Sequence, residues 1–310
     1  MSLTVVGSLA YDAVRTPSGE RERMLGGAAT HFSLAASFFD EVRVVGPVGD
    51  DFDEASWATL RTRGTITDDV EQVPGGKTFF WSGVYADDLN TRETLVTELN
   101  VFETFEPKLS QGSRDCDVLF LANIQPDLQL GVREQCTRAR FVAMDSMDLW
   151  INIARDSLER TIRAVDCLLL NDEELELLTG KPNTLLAAEE LLGWGLQAVV
   201  GKQGKYGAVL YTAEGHFALP AFPLRAVVDP TGAGDTFAGG FVGYVAAAGG
   251  EVTHDVLTNA MVHGTALASF NVEAFGTERM PQLTPGEIRE RVEQLERITH
   301  FADRPVALRG

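Results

Sequence analysis

Short apolar runs with strand character alternate with longer helix-like runs along most of this chain, and that rhythm limits the fold more than any other feature. Strand-like segments occur at Leu3–Val6, Val42–Val45, Val118–Leu121, Phe141–Met144, Cys167–Leu170 and Ala198–Val200. Between them lie helix-like segments at Ala28–Phe39, Asp53–Arg63, Ile151–Ala164, Asp172–Leu178 and Thr184–Leu192. Strands separated by helical crossovers run parallel to their neighbours, with the helices covering both faces of one sheet. The expected fold class is therefore α/β, a doubly wound, mostly parallel sheet. Ligands in such sheets bind beyond the carboxyl ends of the strands.

One region breaks the rhythm. Lys77–Tyr85 and Thr94–Phe102 are rich in aromatic and β-branched residues and flank the polar stretch Ala86–Asn90, which predicts a β-hairpin. The hairpin is either an edge of the main sheet or a small layer of its own. With 310 residues and 45% hydrophobic composition, the chain is long enough for one large core. No repeat or low-complexity linker divides it, so a single domain over 1–310 is expected. The formal net charge of −19 argues against nucleic acid or an anionic membrane as partner, since both require broad basic surface. A small polyanion is still compatible with it if amides, a helix terminus and Mg²⁺ neutralise the charge locally. Cys116, Cys136 and Cys167 are too few and too irregularly spaced for a disulfide framework or a zinc site. No apolar run has membrane-spanning length and the first residues lack a signal-peptide pattern, so a cytoplasmic protein is expected.

The chemistry concentrates in Asp229-Pro230-Thr231-Gly232-Ala233-Gly234-Asp235-Thr236-Phe237. Arg225–Val228 reads as the end of a short strand and Thr236–Ala248 as a helix, which predicts a glycine turn at a strand-to-helix junction. The first turn of a helix has amides without intrahelical partners and a partial positive charge. A Gly-Ala-Gly turn can bring those amides against a phosphate. Neither a Walker P-loop, which needs a Gly-Lys-Ser/Thr ending, nor a dinucleotide fingerprint, whose third glycine is Phe237 here, fits this string. Read alone, it is equally a tight turn with an aspartate capping a helix.

The full string resembles the C-terminal signature of the ribokinase-like, or PfkB, carbohydrate kinase family. Other segments resemble that family at matching places. They are Val5-Val6-Gly7-Ser8-Leu9-Ala10-Tyr11-Asp12, Gly26-Gly27-Ala28-Ala29-Thr30, Leu168-Leu169-Leu170-Asn171-Asp172-Glu173-Glu174 and Lys202-Gln203-Gly204-Lys205-Tyr206-Gly207. The resemblance implies a ribokinase-like three-layer α/β/α sandwich with a small β lid formed by roughly 11–26 and 75–103, which in the family often serves as a dimer interface. It implies ATP-dependent phosphorylation of a sugar or polyol hydroxyl with Mg²⁺. A nucleoside kinase on the same scaffold and a catalytically idle sugar or nucleotide sensor are the alternatives.

Carried over residue by residue, Asp235 is the expected base and the amides of Gly232, Ala233 and Gly234 the anion hole. The base would take the hydroxyl proton late, as the loose transition state forms its new bond. A helix N-terminus is expected to hold Asp235 below the ordinary value of about 3.9. Nucleotide contacts are expected from Asn171, Glu174, Lys202, Gly204, Gly207, Thr231 and Asn259. Glu174 would hold Mg²⁺ through water, and Asp229 and Thr231 a monovalent cation such as K⁺. Asn171 with Glu174 is also a good helix start in its own right. For the acceptor, Asp12 is expected at the end of the first strand, with Gly26, Gly27, His31, Trp81, Asn100 and Asn123 as further contacts. Ribokinase itself has other residues where this chain has Ala10, Ala28 and His31, so the acceptor's identity is open. ATP and a small hydroxylated molecule are the expected partners, with a homodimer formed through the lid.

Overall fold

The computed structural model describes residues 1–302. Its main sheet has nine strands in the order β13-β12-β11-β10-β9-β8-β1-β4-β5. These are β1 (Ser2–Val6), β4 (Glu41–Gly49), β5 (Ile66–Val73), β8 (Val118–Leu121), β9 (Phe141–Asp145), β10 (Cys167–Asn171), β11 (Ala198–Lys202), β12 (Ala208–Thr212) and β13 (Gly215–Leu219). Strands β5 to β11 pair in parallel, and β12 and β13 close one edge antiparallel. The chain builds outward from β1 to β5, then returns past β1 to β8, so the winding reverses between β1 and β8. Ligand sites in doubly wound sheets lie beyond the strands' carboxyl ends at such a reversal.

Alternation along each strand builds the two halves of the core. Leu3, Val5, Val118, Phe120, Phe141, Leu169 and Val200 face the helices Ala28–Ala36, Ala233–Ala247 and His254–Asn271. Val6, Leu119, Leu121, Val142, Met144, Leu168, Leu170 and Val199 face Pro126–Gln135, Arg155–Ile162, Asp172–Thr179 and Thr184–Gly193. Because both faces are covered, these strands are almost wholly apolar. Asp145, Asn171 and Lys202 bring polar side chains to the carboxyl ends of β9, β10 and β11. Gln129 ties the end of β8 to that of β9, its amide nitrogen donating to the carbonyls of Leu121, Ala122 and Asp145.

A second, four-stranded sheet has the order β3-β2-β6-β7, from β2 (Ala10–Thr16), β3 (Gly19–Gly26), β6 (Phe79–Tyr85) and β7 (Arg92–Glu98). The aromatic hairpin forms β6 and β7 and belongs to this layer, not to an edge of the main sheet. Two local expectations are corrected. Residues 225–228 are not a strand; the chain between Leu219 and Asp229 is irregular, and Val228 N donates to the Val272 carbonyl instead of to a sheet neighbour. Asp12 does not end the first strand but lies within β2, beside a bulge, opposite Met24 and Trp81. Among the described residues no helix is long and apolar enough to cross a membrane, and the three cysteines are free and buried.

Candidate active site

Asp229-Pro230-Thr231-Gly232 leads into the helix Ala233–Ala247. Gly232 is left-handed at φ 72°, and a Cβ there would lie 2.4 Å from the His31 ring. Both the conformation and the close approach demand glycine. The turn is fixed from behind by Asn271, which is fully buried. Its Nδ2 donates to the Thr231 carbonyl at 2.8 Å, and its Oδ1 accepts from Thr236 Oγ1 at 3.1 Å. Oδ1 also faces His31 Nδ1 at 3.2 Å, so His31 carries its proton on Nδ1. Burial keeps this imidazole neutral, with its pKa lowered. Sequence reasoning placed His31 against the acceptor. With 1% exposure it is instead the floor beneath the anion turn. Asn271 was missed, since nothing in its local sequence distinguishes it from any other helix-end asparagine.

Not every amide of the turn remains for an anion. Ala233 N donates to the Pro230 carbonyl at 3.2 Å, so the cradle narrows to the Gly232 and Gly234 amides at the helix terminus. Asp235 follows in the first helical turn. Its carboxyl is pushed up from 3.8 to about 7, first by burial and then by Asp145, against the pull of Lys202, its own backbone amide and Arg92. The expected depression by the helix terminus is thus overturned, because loss of hydration outweighs the helix dipole. Asp12 is displaced further, to about 8, by burial together with Asp229 and Asp235. It fits its place only because Gly26, two residues along β3 from its partner Met24, lacks a Cβ, which would lie 2.0 Å from the Asp12 carboxylate. Arg92, at the start of β7, is the cation that lowers both carboxyls.

Lys202 supplies the fixed positive charge. Its Nζ meets Asp145 Oδ2 at 2.7 Å and would touch a Cβ on Gly234 at 3.4 Å. Burial opposes the charge, but Asp145, Glu174 and Asp235 together hold its pKa above the ordinary lysine value. Glu174 is raised to about 7 by burial, less the attraction of Lys202. It forms a full capping box with Asn171, whose Oδ1 accepts from Glu174 N at 2.7 Å while Glu174 Oε2 accepts from Asn171 N at 2.8 Å. The helix-start reading of this pair is thus the one seen directly. The cap aims the carboxyl of Glu174 at the Lys202 cluster, at the carboxyl edge of the sheet.

Beside Lys202 and Gly234 opens a cavity of about 590 Å³. It is lined by Gly204 and Gly207, by Ala221, Phe222, Pro223, Leu224 and Val227, and by Phe237, Thr265, Ala268, Ser269 and Val272. Its size and apolar walls suit a nucleoside moiety whose phosphates point to the helix terminus. The irregular segment after Leu219 supplies the second of these groups of lining residues, and within it Val227 comes from the stretch 225–228 that was expected as a strand. Asn259 is a correction: it is exposed, its side chain bonds to the Asp255 carbonyl, and it lies on the same helix well before the lining residues Thr265, Ala268 and Ser269. Asn100 and Asn123 are likewise engaged in structure. Asn100 Nδ2 donates to the Thr78 carbonyl at the root of the hairpin, and Asn123 accepts from Trp150 Nε1 and lies against Met147 Sδ. Trp81 pairs in register with Asp12, and Arg92 stacks on its ring.

The model of the pfkB family carbohydrate kinases matches residues 2–283. A cytidine kinase of Thermococcus kodakarensis is 30% identical over 250 residues, covering 78% of this chain and 87% of that protein. A deoxyribokinase of Salmonella typhi is 28% identical over 266 residues, 82% of each chain. In three dimensions the nucleoside kinase of Methanocaldococcus jannaschii, described as an archaeal member of the ribokinase family, superposes with a TM-score of 0.77 at 21% identity, covering 94% of this chain and 98% of its own.

Proposed function

This chain belongs to the pfkB family of carbohydrate kinases, whose members transfer a phosphoryl group to a hydroxyl, and on that premise we propose how its residues divide the work. The γ-phosphoryl group of ATP passes to a sugar or polyol hydroxyl, with Asp235 as the base. The observation that carries this reading is the convergence at one helix terminus of a glycine amide cradle, the Lys202 charge and the Asp235 carboxyl. A carboxyl poised at about 7 is a better proton acceptor near neutral pH than an ordinary aspartate, because the driving force for transfer rises with the base's pKa. It still cannot deprotonate an alcohol in advance, so it orients the hydroxyl and receives the proton as the P–O bond forms. Asp12, mostly protonated in the free protein at about 8, offers a second acceptor hydroxyl both a donor and an acceptor. The Gly232 and Gly234 amides and Lys202 stabilise charge on the transferred group.

ATP fits the apolar cavity with its phosphates toward Gly234 and Lys202. Family members act on MgATP, and here Glu174 is the residue suited to hold Mg²⁺ through water. Among the described residues no cluster of three or more His, Cys, Asp or Glu is arranged to bind a metal unaided, which suits an ion that arrives with the phosphates and keeps its waters. A monovalent cation such as K⁺ fits at Asp229. That carboxylate is wholly buried, accepts only the Thr231 and Gly276 amides, and has no salt bridge among the described residues.

The second sheet serves in this reading as a lid over the acceptor. It also supplies a homodimer interface, because β7 is exposed throughout and carries Leu95 and Val96 at 51% and 41% exposure. A cytoplasmic location accords with the free cysteines. The likeness to a cytidine kinase favours a second reading, in which the acceptor hydroxyl belongs to a nucleoside. ADP release over a panel of pentoses, hexoses, polyols and nucleosides tests both. Turnover on free sugars or polyols supports the first and turnover confined to nucleosides the second. Saturable binding without ADP release in any case would leave a sensor and remove the kinase assignment.

A further inference from the structure

The turn joining β6 and β7 stands apart from the acceptor site, yet it forms part of the nucleotide-sized cavity. Asp88, Leu89 and Asn90 line that cavity together with Lys202, Gly204 and Lys205. Asn90 Oδ1 lies 3.1 Å from where a Cβ on Gly204 would be, so the turn rests on the glycine loop that follows β11. The turn is rigid. Asp88 accepts from the amides of Asn90 and Thr91 and from Thr91 Oγ1, at 2.8 to 3.0 Å, which staples its polar side. Leu89 sits at φ 56°, a conformation that suits Gly or Asn far better than leucine. Its side chain is nonetheless partly withdrawn from solvent, in a stretch whose neighbours Ala86, Asp87, Asp88 and Asn90 are exposed. Two residues on, Arg92 acts on Asp12 and Asp235. One hairpin thus touches both ends of the site, the cavity at its turn and the reacting groups at the start of β7.

We infer that this turn is a nucleotide-recognition element, in which Leu89 closes the apolar cavity against the base or ribose of a purine nucleoside triphosphate and Asn90 holds the turn on the Gly204 loop. The inference rests on the assignment of the cavity to ATP. It gives the second sheet a ligand besides the acceptor, so nucleotide affinity depends on the same hairpin that covers the sugar. The cavity is lined mainly by apolar residues, and of the three turn residues in its lining Leu89 is the apolar one and the one partly withdrawn from solvent.

Direct binding of a fluorescent ADP analogue with Mg²⁺, in the absence of any acceptor, tests this with Leu89→Gly and Leu89→Ala. The glycine variant removes the contact while relieving the left-handed backbone, so a loss of binding there does not come from strain. Both variants are expected to raise Kd about tenfold, the effect of losing one buried apolar side chain. KM for the acceptor at saturating ATP should change far less than KM for ATP. Unchanged Kd in both variants beside a wild type that binds, or a rise confined to the acceptor KM, would overturn the inference alone. A wild-type protein that takes up no nucleotide would overturn the kinase reading and this one with it.

Discussion

Replacing Asp235 by asparagine should cost activity and return stability, and the size of both effects follows from one carboxyl. In the folded protein its pKa stands at about 7 against 3.8 for an unperturbed aspartate. The folded state therefore prefers the protonated form, and the ionised form is a burden on folding. The penalty is absent below the unfolded value, grows as pH rises from about 4 to about 7, and is constant above that. At about 1.4 kcal/mol per pH unit the whole displacement amounts to roughly 4 kcal/mol, and partial contact with solvent reduces it to roughly 2 to 3 kcal/mol. Asp235→Asn removes that burden while retaining the shape. In urea unfolding at pH 8 the variant should be more stable than wild type by about that amount, with the gap closing toward pH 4.5. Its kcat should fall about 10²- to 10⁴-fold, the usual contribution of a positioned base. In the wild type, log kcat/KM should climb with pH and level off near 7, and in the variant this inflection should vanish. A variant with near-wild-type kcat and an unaltered pH profile would remove the base assignment. One that is less stable than wild type at pH 8 would refute the electrostatic reasoning.

Three further substitutions probe the supporting residues. Lys202→Met leaves Asp145, Glu174 and Asp235 without their shared cation, so unfolding at pH 8 should become easier by about 3 to 5 kcal/mol, with partial recovery as acidification protonates those carboxyls; equal losses at pH 8 and pH 5.5 would show that packing, not charge, was removed. Gly26→Ala drives a methyl into the Asp12 carboxylate. Acceptor KM should rise at least about tenfold while ADP affinity stays within about twofold, and a parallel loss of ADP binding would mean that the strand pair itself had collapsed. Gly232→Ala combines a left-handed backbone with collision against the His31 ring. It should destabilise by about 1 to 3 kcal/mol and abolish turnover, and crystals or kinetics showing an intact, active turn would contradict the packing described for His31 and Asn271.

Much of the fold was legible because strands covered on both faces must be apolar throughout. Val118–Leu121 is found unaltered as β8, and the five other strands expected in the helix-strand alternation differ only at their ends. The long helix expected over Ile151–Ala164 is instead two, Asp148–Ile153 and Arg155–Ile162, because the backbone leaves helical geometry at Ala154 (φ −134°, ψ 34°). The false strand at 225–228 shows the limit of composition. Two valines are apolar whether they enter a sheet or, as Val227 does, face a ligand cavity.

By itself the sequence determined the doubly wound sheet, the glycine turn before a helix and the family to which both belong, because these depend on local periodicity and on residue types adjacent along the chain. Only the tertiary structure decided the charge states and the second tier of the site. Asp235 and Asp12 are lifted to about 7 and about 8 by burial and by carboxylates distant in sequence, and helix position alone gave the wrong sign for Asp235. Asn271 reaches Thr231 across 40 residues and His31 across 240, and Lys202 reaches Asp145 across 57. The last depends on which strand ends the sheet order brings together and the others on how helices pack against the anion turn, and no short window of sequence carries that information.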